Sequence, residues 1–397
     1  MTCKLTFIIG LVCSITCLNY LKKPSLEKVN EPTYLEYSRA YPTLKKLKDW
    51  YPNCIANKKD CDKIASYLSR ITNYQDSVYH YWNLQSDLPT ITTLDTTIRP
   101  SDLVFLPADS LIISEAKNHK IIIINEAHHR PEHRVFTRSL LEKLKMEGLT
   151  HVGLEGLNCD KGLTYFEKSF PTIKDGHYIA EPSYGNLIRE AILCKLKLFG
   201  YDCGIKEGAK RDLDASNFIS DVCLDSSNKT LLHVGWGHVR EDDKILGGLL
   251  AYRLKSVCNT DPLTIQQTRY MPNFGLLSFD NPLYNKVKSK ITQPSIAIYS
   301  KGRTYYADSI CDMAIFSPDN IIHSSEYRKV WVKNNNNYDG YLLFIPENEK
   351  IEDLPVPVCI YAITDKNESL EVIIPIEEKC KMYLLSEASL MNTNEIY

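Results

Sequence analysis

The chain contains no GxSxG nucleophile elbow, no GxxxxGK[ST] phosphate loop and no GxGxxG fingerprint. Those absences disfavour a serine hydrolase, a nucleotide hydrolase and a dinucleotide-dependent enzyme. It has no CxxC pair, so neither a zinc ribbon nor a thioredoxin-type centre is supported. Dense blocks of Lys and Arg are missing and the formal net charge is only −2, so nucleic acid is not an expected partner. Past the first 18 residues no apolar run is long enough to cross a bilayer, and no internal repeat is visible.

What remains is an ordinary globular composition, 44% hydrophobic and 24% charged. A length of 397 residues allows two domains, or one large domain with extensions. Lys4 precedes an apolar stretch from Leu5 to Leu18, the length of a signal-peptide core and short for a membrane span. Residues 1–18 are therefore expected to be a signal peptide or lipoprotein leader, and the protein to be exported to the periplasm or cell surface. Cys13 and Cys17 are the candidate lipidation points. Cys17 lacks the leucine usual three residues upstream, so plain secretion and membrane attachment through a lipidated cysteine both stay open. Ten of the 13 cysteines lie beyond the leader, an even set that permits disulfides in an exported chain. Cys54 and Cys61 are close enough in sequence to pair, whereas Cys194 and Cys223 fall on helix faces as buried thiols.

Residues 19–110 read as a tether followed by a helical region: 19–40 is polar with Pro24 and Pro32, 42–82 is helical and aromatic-rich, and 86–110 is a Thr- and Pro-containing connector. Residues 111–285 alternate regularly. Strands are expected at 121–125, 151–155, 200–204, 229–234 and 263–267, with helices at 131–147, 184–198, 211–224 and 240–256 between them. Short apolar strands alternating with longer helical periods imply βαβ units. Residues 286–397 change to short β-rich runs around a four-asparagine turn at Asn334–Asn337, either an added β layer or a small separate domain. The expected class is α/β: a mostly parallel sheet flanked by helices, with an N-terminal helical layer and a C-terminal β-rich extension.

The chemistry concentrates in Asn125-Glu126-Ala127-His128-His129-Arg130-Pro131-Glu132-His133, a polar turn between the Ile121–Ile124 run and an amphipathic helix. A second such turn, Gly235-Trp236-Gly237-His238, follows Leu231-Leu232-His233-Val234. In a parallel sheet the turns leaving the C-terminal strand ends share one rim, where open α/β folds bind ligands. A carboxylate such as Glu126 or Glu132 fixes the tautomer of a neighbouring imidazole and raises its basicity. The plain alternative is a polar turn that caps the helix. His129 and His133 have the spacing of a helical metal pair, but Pro131 puts His129 ahead of the helix. Glu155 finishes the apolar segment His151–Leu154 and needs either solvent or a cation. Arg138, two turns into the first helix, is the expected partner. Trp236 is a pocket wall or a core residue. Ser183 is expected to cap the next helix, Arg189 to be exposed, and Asp212, beside Arg211, to suit the start of a further helix.

Over about residues 115–270 these features resemble the superfamily that joins erythromycin-esterase-like hydrolases, ChaN-type haem-binding lipoproteins and the Tiki/TraB proteins. Glu126-Ala127-His128-His129 looks like that family's GE-x-x-H turn, with Asn125 where a glycine is usual; Arg138, Glu155 and the G-x-x-H of Gly235–His238 follow. His129 fits the offset of the esterases and His128 that of shorter-spaced relatives. The resemblance implies a fold and a pocket rather than one reaction. Esterase-like members use histidine to activate water, Tiki-like members are metal-dependent peptidases, and ChaN-like members bind haem. The expectation is an exported hydrolase of a small-molecule or peptide substrate. In it His129 deprotonates water, Glu126 or Glu155 orients the water, Arg138 stabilises the oxyanion and His238 assists the leaving group, with His128 as base in the other register. The alternative is a non-enzymatic haem- or metal-binding protein using His128, His129 or His238 as ligands. The cofactor is open among none, a divalent metal and haem.

Overall fold

The computed structural model describes residues 27–57, 61–84, 98–159, 162–203, 209–272, 281–301, 305–306, 310–318, 327–334, 338–364, 369–375 and 379–393. The expected leader, most of the 86–110 connector's first half and residues 335–337 of the asparagine turn lie outside them.

A nine-stranded sheet runs in the order Leu103–Pro107, Ser295–Tyr299, Met313–Phe316, Leu263–Tyr270, Ile121–Glu126, Thr230–Gly235, His151–Leu154, Lys197–Gly200 and Thr164–Phe166. The strands from Met313–Phe316 to Lys197–Gly200 are mutually parallel, and the outer strands join antiparallel. Every residue of Ile121–Glu126 and Thr230–Gly235 is buried, as suits central strands covered on both faces. Side chains alternate between the two layers. Ile122 and Ile124 pack with Leu140, Leu144 and Leu187, whereas Ile121 and Ile123 pack with Ile219, Leu250 and Leu254. The expected α/β class is therefore observed.

Several expectations need correction. Residues 31–40 are no tether but a helix, Glu31–Ala40, capped by Asn30, whose side chain accepts from Thr33 N at 3.0 Å. Pro32 sits in the first turn, where the missing N–H costs nothing. The connector's end holds the edge strand Leu103–Pro107 and the helix Ala108–Ala116. The helix expected at 184–198 stops at Leu193, because the chain turns through Lys195 at φ 54° and re-enters the sheet at Lys197. The one expected at 240–256 begins only at Leu250, after Leu246, Gly247 and Gly248 with positive φ. Ser295–Tyr299 and Met313–Phe316 extend the main sheet.

The rest of the β-rich region forms a five-stranded antiparallel sheet, in the order Glu27–Lys28, Leu390–Thr393, Cys380–Leu385, Gly340–Pro346 and Cys359–Ile363, and the pair Tyr327–Lys333 with Ser369–Pro375. The N-terminal helices lie on that sheet: Tyr37, Leu47 and Ile64 share a core with Tyr341, Leu343 and Ile345. The two ends of the described chain thus build one layer. Among the described residues no helix is long and apolar enough to cross a membrane.

Cys54 and Cys61 are bridged, and so are Cys159 and Cys203, which join the loops after two adjacent sheet strands. Cys194 and Cys223 are free; Cys223 is buried and Cys194 only partly so. Loop closure favours the longer crosslink, which spans 44 residues against 7. Replacing both members of Cys159–Cys203 by Ala is expected to cost about 4 kcal/mol, against about 2 kcal/mol for the Cys54–Cys61 pair. Urea unfolding of the two double variants checks this, and the reverse order contradicts it.

Candidate active site

Glu126 ends its strand opposite Gly235, and Glu155 follows the neighbouring strand, so the turns behind them meet at one rim. Glu126 is 2% exposed. An unpaired carboxylate so placed is very costly. This one is fully paired. Arg134 donates from Nε to Oε2 at 2.6 Å and from Nη2 to Oε1 at 2.7 Å. His128 Nδ1 lies 2.8 Å from Oε1 and His233 Nε2 lies 2.7 Å from Oε2. Burial alone would raise the Glu126 carboxyl, but the charges of Arg134 and His233 and the imidazole hydrogen bonds hold it well below the usual range. An ionised carboxylate only accepts, so the proton of this bond belongs to His128 Nδ1, leaving Nε2 bare when the ring is neutral.

Arg134 is also held by Glu181 Oε2 at 2.9 Å and reaches His128 O at 3.0 Å. Glu181, not Ser183, caps the helix Pro182–Leu193, accepting from Ser183 N at 2.8 Å and Tyr184 N at 2.9 Å. Tyr178, just ahead of it, stacks on His128 with ring centroids 4.2 Å apart.

The second half of the site gathers on Glu155, which binds Arg211 Nη2 and the backbone N–H of Gly235. Arg211 is braced by Asp202, at 3.1 Å from Nε and 2.6 Å from Nη2. His238 Nε2 lies 3.8 Å from Glu155 Oε1 and 3.4 Å from Arg211 Nη1. Its Nδ1 is 2.7 Å from Asp212 Oδ1, an ionic contact without well-aligned hydrogen-bond geometry. Burial would raise the Glu155 carboxyl, yet His238, His128, Arg211 and the Gly235 N–H bring it below its ordinary value. Burial would lower His238, yet Asp212 and Glu155 bring it above.

Gly235 joins the two halves. A methyl on its α-carbon would lie 2.8 Å from His128 Nε2 and 2.9 Å from Glu155 Oε2. Both groups therefore crowd one point, and only glycine leaves room for them.

The expected set thus divides. Glu126, His128, Glu155 and His238 come together. His129 does not join them: it is 3% exposed, stacked on Trp82 at 4.1 Å and flanked by Trp236 at 5.8 Å. Burial pushes its pKa well below the usual imidazole value, and its Nδ1 has no partner among the described residues. The register that points to His128 is the one that reaches the rim. Arg138 is not the partner of Glu155; its Nε lies 3.9 Å from Glu190, on the helix behind. Arg189 is not exposed but buried in a two-point pair with Glu349, at 2.7 and 2.6 Å.

Arg134, His233, Arg211, Asp212 and Tyr178 were not singled out for the site. A histidine interrupting the apolar run Leu231–Val234 was one available signal. Arg211-Asp212, in the first turns of a helix after a parallel strand, was another.

As ligands the three candidate histidines do not form a set. His129 is sealed in its aromatic stack, and His128 Nε2 and Glu155 Oε2 both lie within 2.9 Å of the point a Cβ on Gly235 would occupy. The carboxylates that would accompany a metal are neutralised by Arg134 and Arg211, and among the described residues no three His, Cys, Asp or Glu side chains are grouped to hold one.

No family model and no curated protein matches the chain. Solved structures give distant likenesses. A structure titled as bacterial protein toxins is 19% identical with TM-score 0.27, over 38% of this chain and 35% of that one. The type III effector HopBA1 is 14% identical with TM-score 0.32, over 56% of this chain and 100% of that one. RRSP, a MARTX toxin effector domain from Vibrio vulnificus CMCP6, is 17% identical with TM-score 0.28, over 40% and 35%. The chain spans about a third of the first and third of these. Likenesses this distant assign no function.

The buried histidines make the fold acid-sensitive. His133, whose Nδ1 accepts the Ala127 N–H at 3.0 Å, is pushed down to about 4, chiefly by burial, and His129 is also held low. Unfolded imidazoles take up protons below about pH 6.5, while these two stay neutral in the fold. Their contribution is complete above that pH and is lost as the pH falls. His238, raised by its acidic partners, acts in the opposite sense, whereas His177 and His151 are lowered as well and act with the first two. Between pH 7 and pH 5 His133 alone is expected to remove about 2 kcal/mol. Urea unfolding at the two pH values tests this; equal stability contradicts it.

Proposed function

We propose that the protein is a hydrolase that attacks an ester or amide directly with water. The observation that carries this reading is the His128 imidazole, bound through Nδ1 by Glu126 and turned with Nε2 towards Glu155 above Gly235. His128 takes a proton from water through Nε2. Glu155 orients that water and balances the imidazolium formed. The charge developing on the substrate carbonyl oxygen is met by the N–H groups of Arg211, which Asp202 holds in place. His238, oriented by Asp212 and biased towards its protonated form, gives the proton to the departing oxygen or nitrogen. Addition of the water oxygen to the carbonyl carbon gives a tetrahedral oxyanion, its collapse breaks the bond to the leaving group, and His128 then gives its proton to solvent as His238 takes one up, with no covalent enzyme intermediate. The substrate class is a small acyl compound or a peptide.

A screen of ester and peptide substrates on the purified protein tests the reading. His128→Ala is expected to lower turnover by about 10²–10⁴-fold. Gly235→Ala is expected to be comparably severe: at φ −83° its backbone accepts alanine, but the new methyl displaces His128 and Glu155 together. His129→Phe, which keeps the aromatic stack, is expected to retain turnover. An active His128→Ala protein beside an inactive, folded His129→Phe protein would overturn the assignment.

A further inference from the structure

A cavity of about 270 Å³ opens beside the site, between the helix Glu31–Ala40 and the loop ahead of Tyr178. Its floor is Arg70, which is 3% exposed. The partners of this guanidinium are neutral. It donates to Ala40 O at 2.6 Å and His177 O at 2.9 Å, meets the His177 ring at 3.4 Å and stacks on Tyr67 at 4.7 Å. No carboxylate among the described residues lies within ion-pair distance of it. The other buried arginines differ: Arg130 has Glu132, Arg134 has Glu126 and Glu181, and Arg189 has Glu349.

A buried charge without a counter-ion is costly and is ordinarily paired. The rest of the lining adds positive charge. Arg39 and Lys174 stand at the exposed rim, and the one carboxylate there, Glu36, is shared between them at 3.3 and 3.6 Å. Asn158 completes the polar lining. Burial and the Arg70 charge push His177 down to about 4, so it brings no charge of its own near neutrality.

The geometry points to this cavity as a binding site for an oxyanion, a phosphate or carboxylate group, with Arg70 as the buried fork that receives it and Arg39 and Lys174 as the cations at its mouth. His177 lines the cavity and Tyr178, the next residue, stacks on His128. The cavity therefore adjoins the loop that supports the proposed base. That role of His128 rests on the hydrolase reading; the oxyanion site itself does not.

The test uses inorganic phosphate and acetate as separate probes on the full protein, with thermal unfolding followed at constant ionic strength against chloride. At least one probe is expected to raise the midpoint saturably, and the tighter of the two identifies the group the site prefers. The Arg39→Ala/Lys174→Ala double variant is expected to weaken that response about tenfold or more. Arg70→Met removes the unpaired buried charge together with its hydrogen bonds to Ala40 O and His177 O, so its midpoint without the probe is taken as its own baseline, from which it is expected to show no response. A wild-type midpoint indifferent to both anions, or a response unchanged in Arg70→Met, overturns the proposal. Because binding is read and not turnover, this result stands apart from success or failure of the hydrolase reading.

Discussion

The buried carboxylate of Glu126 is the interaction on which the rest of the site depends. It collects His128, Arg134 and His233 from the following turn, the following helix and the neighbouring strand. Each donor offsets part of the desolvation of an anion that is 2% exposed, and the anion in return fixes where each donor points. Truncating one member of such a buried ion pair typically costs about 3–5 kcal/mol, because the partner is left uncompensated. Stability and the geometry of the site are therefore properties of the same contacts here.

That cluster is braced from outside the main sheet. Arg134 holds Glu181, and Glu181 caps the helix Pro182–Leu193. Arg189 on that helix pairs with Glu349 of the C-terminal layer, and Tyr41 of the N-terminal layer donates to Ala180 O at 2.9 Å. The loop carrying Tyr178 is thereby fixed by both terminal layers, although Glu126, His128, Glu155 and His238 all lie at or just beyond the ends of central-sheet strands. Trp82, from an N-terminal helix, seals His129 in the same way. These layers act as supports for a rim whose polar turns would otherwise be free to rearrange.

Much of the fold was legible because strand and helix periods differ and the central strands each contain an apolar run. The outer strands were less so. Leu103–Pro107 lies far in sequence from Ser295–Tyr299 and Met313–Phe316, and nothing local states that these strands pair with one another. Within the site, the rim turns were visible as clustered polar residues after apolar runs, and Glu126, Glu155 and His238 follow from that placement. The choice between His128 and His129 was not visible. Adjacent residues in a turn face different ways, and what separates them is Tyr178 and Gly235 on one side and Trp82 and Trp236 on the other. Arg138 lies one helical turn, about 6 Å of rise, beyond Arg134, and the cation that pairs with Glu155 in its place is Arg211. Arg134 sits at the rim end of the same helix, where Glu126 ends its strand. Arg211 was noted only as a helix-start residue, because its partner Glu155 lies 56 positions away.

The central claim is that an ionised Glu126 holds His128 with the proton on Nδ1 and Nε2 bare. Nitrogen-15 NMR of the histidine rings, with His128 assigned by its absence in His128→Ala and recorded where the ring is neutral, reads this directly. The account predicts a protonated Nδ1 and an unprotonated Nε2 for His128. A neutral ring carrying its proton on Nε2 would contradict it, since that nitrogen then has no lone pair to accept a proton from water.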